Sequence, residues 1–231
     1  MSQNRHGVAF VKAYRKNVIM EIKVLNISDY EKVFDFYNAQ IEALERKEFF
    51  YPYVNSDLKN LLDFGGIMLG AFDDGKLIGL SAIDYDQTYS GILKRLVNSY
   101  YFHVEDDIPV FEYSGVMTDK NYRKLGIASM LYQSLLKIAK KNICLCAVVQ
   151  LENQASLTFF FKRDFRLVCV KKDFGIDFGY LIKFTDRKMQ VLESSSQYIN
   201  CLDYTAYDKL LKQGFVGIEF EDNKVKMCKI K

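Results

Sequence analysis

A strand, a turn, a helix and a second strand follow one another between residues 110 and 149, and this segment limits the fold most. Val110–Thr118 and Ile143–Val149 are apolar runs of strand length, and the helix predicted between them, Ala128–Lys140, has leucines at helical spacing. A helix of that length joins parallel strands through a right-handed crossover. The segment therefore predicts an α/β protein that contains a parallel pair of strands.

Further strands and helices are predicted on both sides of this segment. The strands are Val18–Leu25, a hairpin of Gly66–Phe72 and Leu77–Ile83 around Asp73–Lys76, and later Leu167–Lys171 and Tyr180–Phe184. Helices are predicted after the capping box Ser28–Glu31, after Ser56, over Tyr89–Asn98 and over Gln154–Lys162. The connection from Asp84 to Pro109 is long and polar, which is typical of functional loops.

The two ends of the chain differ in pattern from the middle. Residues 1–17 are predicted to be an N-terminal extension before a main domain over 18–185, and the run Ser194–Ser196 predicts a linker. Residues 186–231 are predicted to form a small appendage, with a helix at Tyr204–Lys212 and a hairpin of Phe215–Phe220 and Val225–Ile230. Because so few residues bury little apolar surface alone, the appendage is expected to pack on the main domain or in a homodimer.

Charge and composition argue against several classes of function. The 32 basic and 29 acidic residues are spread along the chain with a net charge of +3, which gives little support to nucleic-acid binding. The apolar stretches are shorter than a membrane helix and Val8–Val11 is too short for a signal peptide, so a cytoplasmic protein without membrane contact is expected. The five cysteines and two histidines lack metal-site spacing, and Cys144 and Cys146 alternate in an apolar strand, which predicts core residues and no metal ion.

The turn between the Val110 strand and the following helix suits a phosphate group. Its sequence is Arg123-Lys124-Leu125-Gly126-Ile127-Ala128. The first turn of a helix leaves about four N–H donors and the positive end of the helix dipole for an anion. Gly126 lets a ligand approach the backbone, and Arg123 and Lys124 add charge-assisted contacts. The spacing matches neither the P-loop nor the dinucleotide-binding glycine motif, and a turn that only caps the helix is the alternative interpretation.

The turn resembles the signature [QR]-x-x-G-x-[GA] of the GNAT superfamily of acyl-CoA-dependent N-acetyltransferases, through Arg123, Gly126 and Ala128. The segment from Asn153 to Phe165 resembles the second conserved segment of that family, N-x-x-[AS]-x-x-[FL]-Y-x-x-x-G-F. The order of elements from Val18 to about Phe184 also agrees with the family. The resemblance implies a mixed, splayed β-sheet flanked by helices, with the small helix-plus-hairpin appendage outside it.

The resemblance also implies acetyl-CoA as the co-substrate and residues that bind it. The turn from Arg123 to Ala128 would hold the diphosphate, and main-chain groups of Met117 and Thr118 would hold the pantetheine arm and the thioester carbonyl. The arm would lie where the sheet splays, between the strand that ends near Thr118 and the strand Ile143–Val149. The side-chain amide of Asn153 would contact the arm, although an ordinary helix cap explains this residue as well.

Transfer to an amine needs a proton acceptor, because an amine with the pKa of lysine is neutral in only about one molecule per thousand at pH 7. Glu112 lies six residues before Thr118 on the same strand face, and it matches the position of the glutamate base in some family members. A solvated or ion-paired strand residue is the alternative interpretation. Other candidates lie in or near the long connection: Asp84, Tyr85, Glu105 and Asp107.

Two positions depart from the family pattern. Phe160 stands where many members have the tyrosine that protonates the leaving thiolate, and phenylalanine cannot donate a proton. Water or another tyrosine would then serve, because the thiolate of CoA is already a fair leaving group. Asp164 replaces the usual glycine before Phe165, which predicts a changed turn.

The sequence therefore predicts an N-acetyltransferase in which an amine attacks the thioester of acetyl-CoA directly. The acceptor is expected to be a small-molecule or peptide amine, and the acidic residues of the long connection favour a cationic one. The alternative is a catalytically silent module of the same fold that binds CoA or acyl-CoA, suggested by Phe160. An unrelated interaction protein would require both motif matches to be accidental.

Overall fold

The computed structural model describes residues 11–15, 18–47, 53–173 and 175–231, and the chain divides into two compact units. The first unit contains the residues up to Tyr85 and the segment Tyr113–Ala139, and the second contains Asp86–Glu112 and Lys140–Lys231. In chain order the elements are β1 (Val11–Arg15), β2 (Val18–Leu25), α1 (Tyr30–Glu42), α2 (Asn55–Asn60), β3 (Gly66–Asp73), β4 (Lys76–Asp84), α3 (Gln87–Val97), β5 (Val110–Thr118), α4 (Ile127–Ile138), β6 (Cys144–Gln150), α5 (Gln154–Phe161), β7 (Arg166–Asp173), β8 (Ile176–Phe184), β9 (Val191–Asn200), α6 (Tyr204–Lys212), β10 (Phe215–Glu221) and β11 (Lys224–Ile230).

The strands of the first unit lie in the order β1-β2-β3-β4-β5, and β1 to β4 pair antiparallel. The predicted hairpin of β3 and β4 is confirmed. Its turn residues Asp74 and Gly75 both have positive φ, the conformation that the two central residues of a tight type I′ turn require. The core of this unit joins the sheet to α1 and α2 through the side chains Val33, Tyr37, Leu58, Leu61, Met68 and Leu80.

The strands of the second unit lie in the order β5-β6-β8-β7-β10-β11-β9, with the first three residues of β5 in this unit. The pairing of β5 with β6 is parallel, as predicted, and covers Val110–Glu112 against Cys144–Cys146. The described pairing ends there although both strands continue, which is where the sheet splays. The sheet is thus mixed and splayed, with helices on it, and the predicted fold class is confirmed.

Cys144 and Cys146 are core residues of the second unit, as predicted. Both side chains are fully buried and free of disulfides, and they pack with Leu93 and Val97 of α3 and Ile182 of β8. Burial raises the pKa of both thiols well above the usual range of cysteine, because a thiolate is poorly solvated there. These thiols are therefore inert packing groups.

The long connection before β5 is ordered by one lysine. Lys94 of α3 donates from Nζ to three main-chain carbonyl oxygens, those of Glu105 (2.6 Å), Asp106 (2.9 Å) and Ile108 (2.9 Å). An ammonium group supplies three donors, so this one side chain can satisfy three carbonyls that no regular ladder pairs. The predicted helix in this connection is confirmed as α3, which begins two residues earlier, at Gln87, directly after its cap Asp86.

The helix and hairpin of the appendage are confirmed, with α6 at the predicted bounds and β10 and β11 joined through Asp222 and Asn223, both of positive φ. The linker predicted at Ser194–Ser196 is wrong, because these residues lie in β9, which pairs with β11. Serine has a weak preference for strands, so the pattern gave no signal. At a break in register, Ser195 Oγ accepts the N–H of Lys229 (2.8 Å) and donates to the Leu192 carbonyl (2.6 Å).

Two predicted helix caps are also wrong. The capping box belongs to Asn26 and Asp29: Asn26 Oδ1 accepts the N–H of Ser28 (2.9 Å), and the Asp29 carboxylate accepts the N–H of Asn26 (3.1 Å). Asparagine is at least as good an N-cap as serine, so the chain starts its turn two residues earlier than predicted. Ser56 lies inside α2, whose N-cap is Val54.

The N-terminal extension predicted over residues 1–17 contains a strand that the sequence pattern missed, β1, which pairs with β2. Residues 1–10, 16 and 17 lie outside the described part of the chain. The domain boundaries predicted at residues 17 and 185 stay predictions.

Replacing Tyr207 with phenylalanine is expected to stabilise the protein by about 1 kcal/mol. Tyr207 is fully buried, and its hydroxyl has no hydrogen-bond partner among the described residues. A buried donor without a partner costs free energy, which phenylalanine avoids at the same shape. Urea unfolding measures the change. The matched control is Tyr100→Phe, which removes a hydroxyl that donates to Asp208 Oδ1 (3.2 Å) and is expected to destabilise. A destabilised Tyr207→Phe protein would contradict the prediction.

Candidate functional site

The turn predicted to hold a phosphate joins β5 to α4 within the first unit. Arg123 and Lys124 are exposed, and Lys124 and Gly126 have left-handed φ values of 63° and 80°. Gly126 is the N-cap of α4, and the first helical hydrogen bond runs from the N–H of Met130 to the Gly126 carbonyl (3.0 Å). No side chain of the described residues caps this helix. The N-terminal end of a 12-residue helix, flanked by two exposed cations, is a suitable place for an anion.

The other residues predicted in this part of the site lie directly before the turn. Met117 is buried and Thr118 is half-buried at the end of β5. Gly115, in the same strand, has a φ of +63°, a conformation typical of bulges that change the direction of a strand. Met117, Thr118 and the whole turn Arg123–Ala128 are therefore brought together in one unit.

A glycine in β4 allows α4 to pack closely on the sheet. A Cβ atom at Gly79 would lie 2.8 Å from Ile127 Cγ2 and 3.2 Å from the main-chain oxygen of Met117. Ile127 and Leu131 of α4 are fully buried on this surface. The first turn of α4 is thus set by its contact with β4.

Gly79→Ala is expected to lower the free energy of unfolding by about 1 to 3 kcal/mol, because the methyl group overlaps Ile127 and the helix must shift. The same shift displaces the turn before α4. Denaturant unfolding provides the measurement. Gly91→Ala is the control, since Gly91 lies in the middle of α3 with only Arg95 Nη1 as near as 4.0 Å, and alanine there is expected to stabilise slightly. Equal effects at both glycines would refute the close-packing explanation.

Glu112 belongs to the second unit and is the last residue of β5 that pairs with β6. Its partner in the parallel register is the buried Cys146, and its own side chain is half-buried. Electrostatic repulsion from Glu112 is a minor cause of the raised pKa of Tyr180, after burial and the neighbouring thiols. The carboxylate thus lies in a partly apolar environment on the face of the sheet that also presents Cys146.

The other candidates for a base are in less suitable environments. Glu105 forms a bidentate ion pair with Arg187, and a backbone hydrogen bond and this guanidinium together lower the pKa of its carboxyl group. Asp107 is exposed, whereas Asp84 is the half-buried last residue of β4 in the first unit and Tyr85, the residue after it, is buried. A base with a depressed pKa is a weak proton acceptor, which disfavours Glu105.

Asn153 caps α5. Its Oδ1 accepts the N–H of Ser156 (3.1 Å), and its carbonyl accepts the N–H of Leu157 (3.0 Å). The structure thus shows the capping role that the sequence left open as the alternative. The helix cap uses the side-chain oxygen of Asn153 as an acceptor. A carbonyl group of the ligand would need a donor, which is the NH₂ group of the same side chain. The predicted contact with the pantetheine arm stays a prediction.

Phe160 is a core residue of the second unit. It is 5% exposed and packs edge-to-face against Phe159 (5.1 Å between ring centroids) and Phe165 (5.0 Å). Such aromatic pairs add stability beyond their buried area. The position that holds a tyrosine in many family members is therefore filled here by part of an aromatic cluster.

The change of turn predicted at Asp164 is wrong. Asp164 has a φ of +62°, the left-handed conformation that the usual glycine would adopt at the end of this helix. Phe165 donates to the carbonyl of Phe160 (3.3 Å), as in a Schellman motif. Ion pairs of Asp164 with Lys188 (3.1 Å) and Arg166 (3.7 Å) offset the unfavourable backbone conformation.

Two groups of polar side chains in the first unit were missed by the sequence analysis. Lys76 and Asp119 form an ion pair beside the turn, and Tyr122 donates to Asp73. Tyr53, before α2, hydrogen-bonds through its hydroxyl to Ser114 Oγ in β5. Each group joins residues more than 40 positions apart, so no local pattern indicates the contacts.

The described part of the chain contains neither a group of side chains that could hold a metal ion nor a helix that could span a membrane. No cluster of three His, Cys, Asp or Glu side chains with the spacing of metal ligands occurs within residues 11–15, 18–47, 53–173 and 175–231. None of the helices in those ranges combines the length and hydropathy that a membrane span requires.

Comparison with known proteins agrees with the fold and the turn. A family model described as the acetyltransferase (GNAT) family matches residues 30–165, which include both motifs. The structure is similar to that of the GNAT domain of S. lividans PAT, with a TM-score of 0.54 and 17% identity over 79% of this chain and 100% of that one. No curated protein matches the chain in sequence.

Two further solved structures have the same fold at low identity. The ribosomal-protein-S18-alanine N-acetyltransferase from Escherichia coli has a TM-score of 0.53 and 12% identity, over 75% of this chain and 99% of that one. Arabidopsis thaliana NAA60 in complex with acetyl-CoA has a TM-score of 0.51 and 15% identity, over 71% and 98%. The fold and the turn define a GNAT-type protein. The chain belongs to the GNAT acetyltransferase family, whose model covers more than half of it.

Proposed function

We propose that the protein transfers the acetyl group of acetyl-CoA to an amine by direct attack of the amine on the thioester. The observation that carries the proposal is the turn at Gly126, which starts α4 in the left-handed conformation inside a chain of the GNAT family. The solved structure of Arabidopsis thaliana NAA60 contains acetyl-CoA, which supports this co-substrate.

The turn Arg123–Ala128 would bind the diphosphate of acetyl-CoA. Main-chain N–H groups at the start of α4 and the exposed cations Arg123 and Lys124 are complementary to its negative charge. The absence of a side-chain cap at Gly126 within the described residues fits this role, because a capping carboxylate would compete with the ligand. Main-chain groups of Met117 and Thr118, the amide of Asn153 and the edge of Phe160 would contact the pantetheine arm and the thioester.

Glu112 would accept the proton of the acceptor amine. Deprotonating an amine of ordinary pKa at pH 7 costs roughly 4 kcal/mol, and a positioned carboxylate lowers this cost in the transition state. The amine nitrogen then forms a bond to the acetyl carbon, the carbon–sulfur bond breaks, and the thiolate leaves. The second proton, which the nitrogen loses as it becomes an amide, passes through water to the departing thiolate, since Phe160 cannot supply one.

The acceptor would be a small-molecule or peptide amine. The name of the Escherichia coli relative specifies an alanine of ribosomal protein S18, which supports including peptides with a free N-terminus among the candidates. Small polyamines remain candidates because the connection before β5 carries exposed acidic residues at 105–107.

A second function is supported by one observation. Phe160 is locked in the aromatic cluster with Phe159 and Phe165, so the usual acid is missing and its position is not open to another donor. A silent module that binds CoA or acyl-CoA without transferring the acyl group is consistent with that. Both the transferase and the silent module would bind CoA through the turn Arg123–Ala128, and only the transferase would convert acetyl-CoA to free CoA.

Thiol release distinguishes these functions. The protein is incubated with acetyl-CoA and a panel of polyamines, aminoglycosides, amino acids and peptides, and free thiol is measured with time. Release that depends on one class of amine supports the transferase. Binding of acetyl-CoA without release for any amine supports the silent module, and absence of binding refutes both.

A further inference from the structure

The hairpin of β3 and β4 holds the beginning of the turn through an ion pair between an exposed lysine and a nearly buried carboxylate. Lys76, the first residue of β4, donates from Nζ to Asp119 Oδ2 (2.9 Å). The Asp119 side chain is 8% exposed, whereas that of Lys76 is 59% exposed. The carboxylate is therefore fixed inside the unit, and the lysine closes over it from the surface.

Asp119 organises the backbone that leads into the turn. Its Oδ1 accepts the N–H of Asn121 (2.9 Å), its own N–H donates to the Ile78 carbonyl (2.9 Å), and its carbonyl accepts the N–H of Tyr122 (2.8 Å). Asp119 thereby caps the short 3-10 helix Lys120–Tyr122, which is followed directly by Arg123. The N–H and Oδ2 of Asp119 hold this segment against β4, and its Oδ1 and carbonyl oxygen close the turn of the 3-10 helix.

A second contact joins the other end of the 3-10 helix to the same hairpin. The Tyr122 hydroxyl donates to Asp73 Oδ2 (2.8 Å), and the Lys76 ammonium lies 5.5 Å from the centre of the Tyr122 ring. The hairpin thus contacts the segment at Asp119 and at Tyr122, one residue before Arg123. None of these hairpin residues belongs to the predicted diphosphate site.

The ion pair persists over the pH range in which an acetyltransferase would work. Burial opposes the charge of Asp119, but the hydrogen bonds from Lys76 and from the Asn121 N–H outweigh it and lower the pKa of this carboxyl. The hydrogen bond to Asp119 raises the pKa of Lys76. The stability that Asp119 contributes is lost only as the pH falls through its lowered pKa. The stability that Lys76 contributes is lost only as the pH rises through its raised pKa. Both groups stay charged between about pH 5 and 9.

We propose that Lys76 is a positioning residue for the diphosphate of acetyl-CoA, which it does not touch but whose binding turn it fixes through Asp119. The inference rests on the proposed function of the turn. Without the ammonium group, the Asp119 carboxylate is left nearly buried without its counter-ion, and the segment 119–123 keeps only the main-chain hydrogen bond from Asp119 to Ile78 as its contact with β4. The turn then samples other conformations, and the ligand must order it again on binding.

The test compares two ligands that share the acetylated pantetheine arm and differ in the diphosphate and the 3′-phosphoadenosine that it carries. Lys76→Gln is expected to weaken the binding of acetyl-CoA about fivefold or more, measured by calorimetry, because part of the binding free energy is spent on ordering the turn. The binding of S-acetylpantetheine, which lacks the diphosphate, is expected to be unchanged. A general loss of stability would lower both affinities together. Lys76→Arg retains a charged donor and is expected to recover most of the affinity.

Lys47→Gln is the matched control, because Lys47 is similarly exposed (52%) and pairs with Glu42 (2.6 Å) in the same unit, away from the turn. It is expected to bind acetyl-CoA like the wild type. In a double-mutant cycle, Asp119→Asn should add little to Lys76→Gln, since both break one ion pair. Wild-type affinity in Lys76→Gln, or equal losses for both ligands, would overturn the proposal. If the wild type itself binds no acetyl-CoA, the proposed function fails instead.

Discussion

Replacing Gly126 with alanine is expected to reduce the affinity for acetyl-CoA about tenfold or more, because the new Cβ would stand where we propose that the backbone meets the diphosphate. Gly126 has a φ of 80°, so alanine also adds backbone strain of roughly 1 kcal/mol. Calorimetric titration gives the affinity, and denaturant unfolding gives the stability. The two measurements separate the loss of binding from the loss of stability.

Gly175→Ala is the control for the strain. Gly175 has the same φ of 80°, and a Cβ there meets no atom within 4 Å. We expect it to cost similar stability and to leave the binding of acetyl-CoA unchanged. If the Gly175 and Gly126 variants lose the same affinity, or neither loses any, Gly126 has no special part in binding.

Glu112→Gln is expected to lower kcat by about 10²-fold to 10⁴-fold near pH 7, with little change in the affinity for acetyl-CoA. The amide cannot accept a proton, so the rate should rise with pH towards the pKa of the acceptor amine, where neutral amine becomes abundant. The pH profile of kcat between 6 and 9 measures this. The ion pair of Lys76 and Asp119 keeps its charges in this range, so it does not contribute to the profile.

Glu221→Gln, which removes an exposed carboxylate beside the turn between β10 and β11, is the control and is expected to behave like the wild type. Unchanged rate and pH profile in Glu112→Gln would show that another group is the base. Asp84→Asn and Asp107→Asn would then be measured in the same way, as the remaining carboxylates near the long connection.

The sequence predicted those parts of the fold that short-range patterns determine. Asp74 and Gly75 indicated the hairpin of β3 and β4, since both central residues of such a turn need positive φ. The apolar runs on both sides of α4 indicated a parallel pair of strands, which β5 and β6 form. Gly126 indicated the turn that begins α4, where it is the N-cap with a left-handed φ.

Long-range pairing explains what the sequence did not predict. Ser194–Ser196 have no strand signal, yet they lie in β9, because β11 supplies the hydrogen bonds. Asp164 replaces the usual glycine of the family, but it keeps the left-handed conformation, and it forms ion pairs with Lys188 and Arg166. The pairing of Lys76 with Asp119 spans 43 positions of the chain and became visible only in the folded unit.

We expect the turn Arg123–Ala128 to bind the diphosphate of acetyl-CoA, and a comparison of two affinities tests this binding. Acetyl-CoA and S-acetylpantetheine are titrated into the wild-type protein by calorimetry under identical conditions. Acetyl-CoA should bind about a hundredfold or more tightly, because S-acetylpantetheine lacks the diphosphate with its nucleoside, and two charge-assisted contacts to the diphosphate each contribute roughly 1.5 to 3 kcal/mol. Equal affinities, or no detectable binding of acetyl-CoA, would contradict the claim.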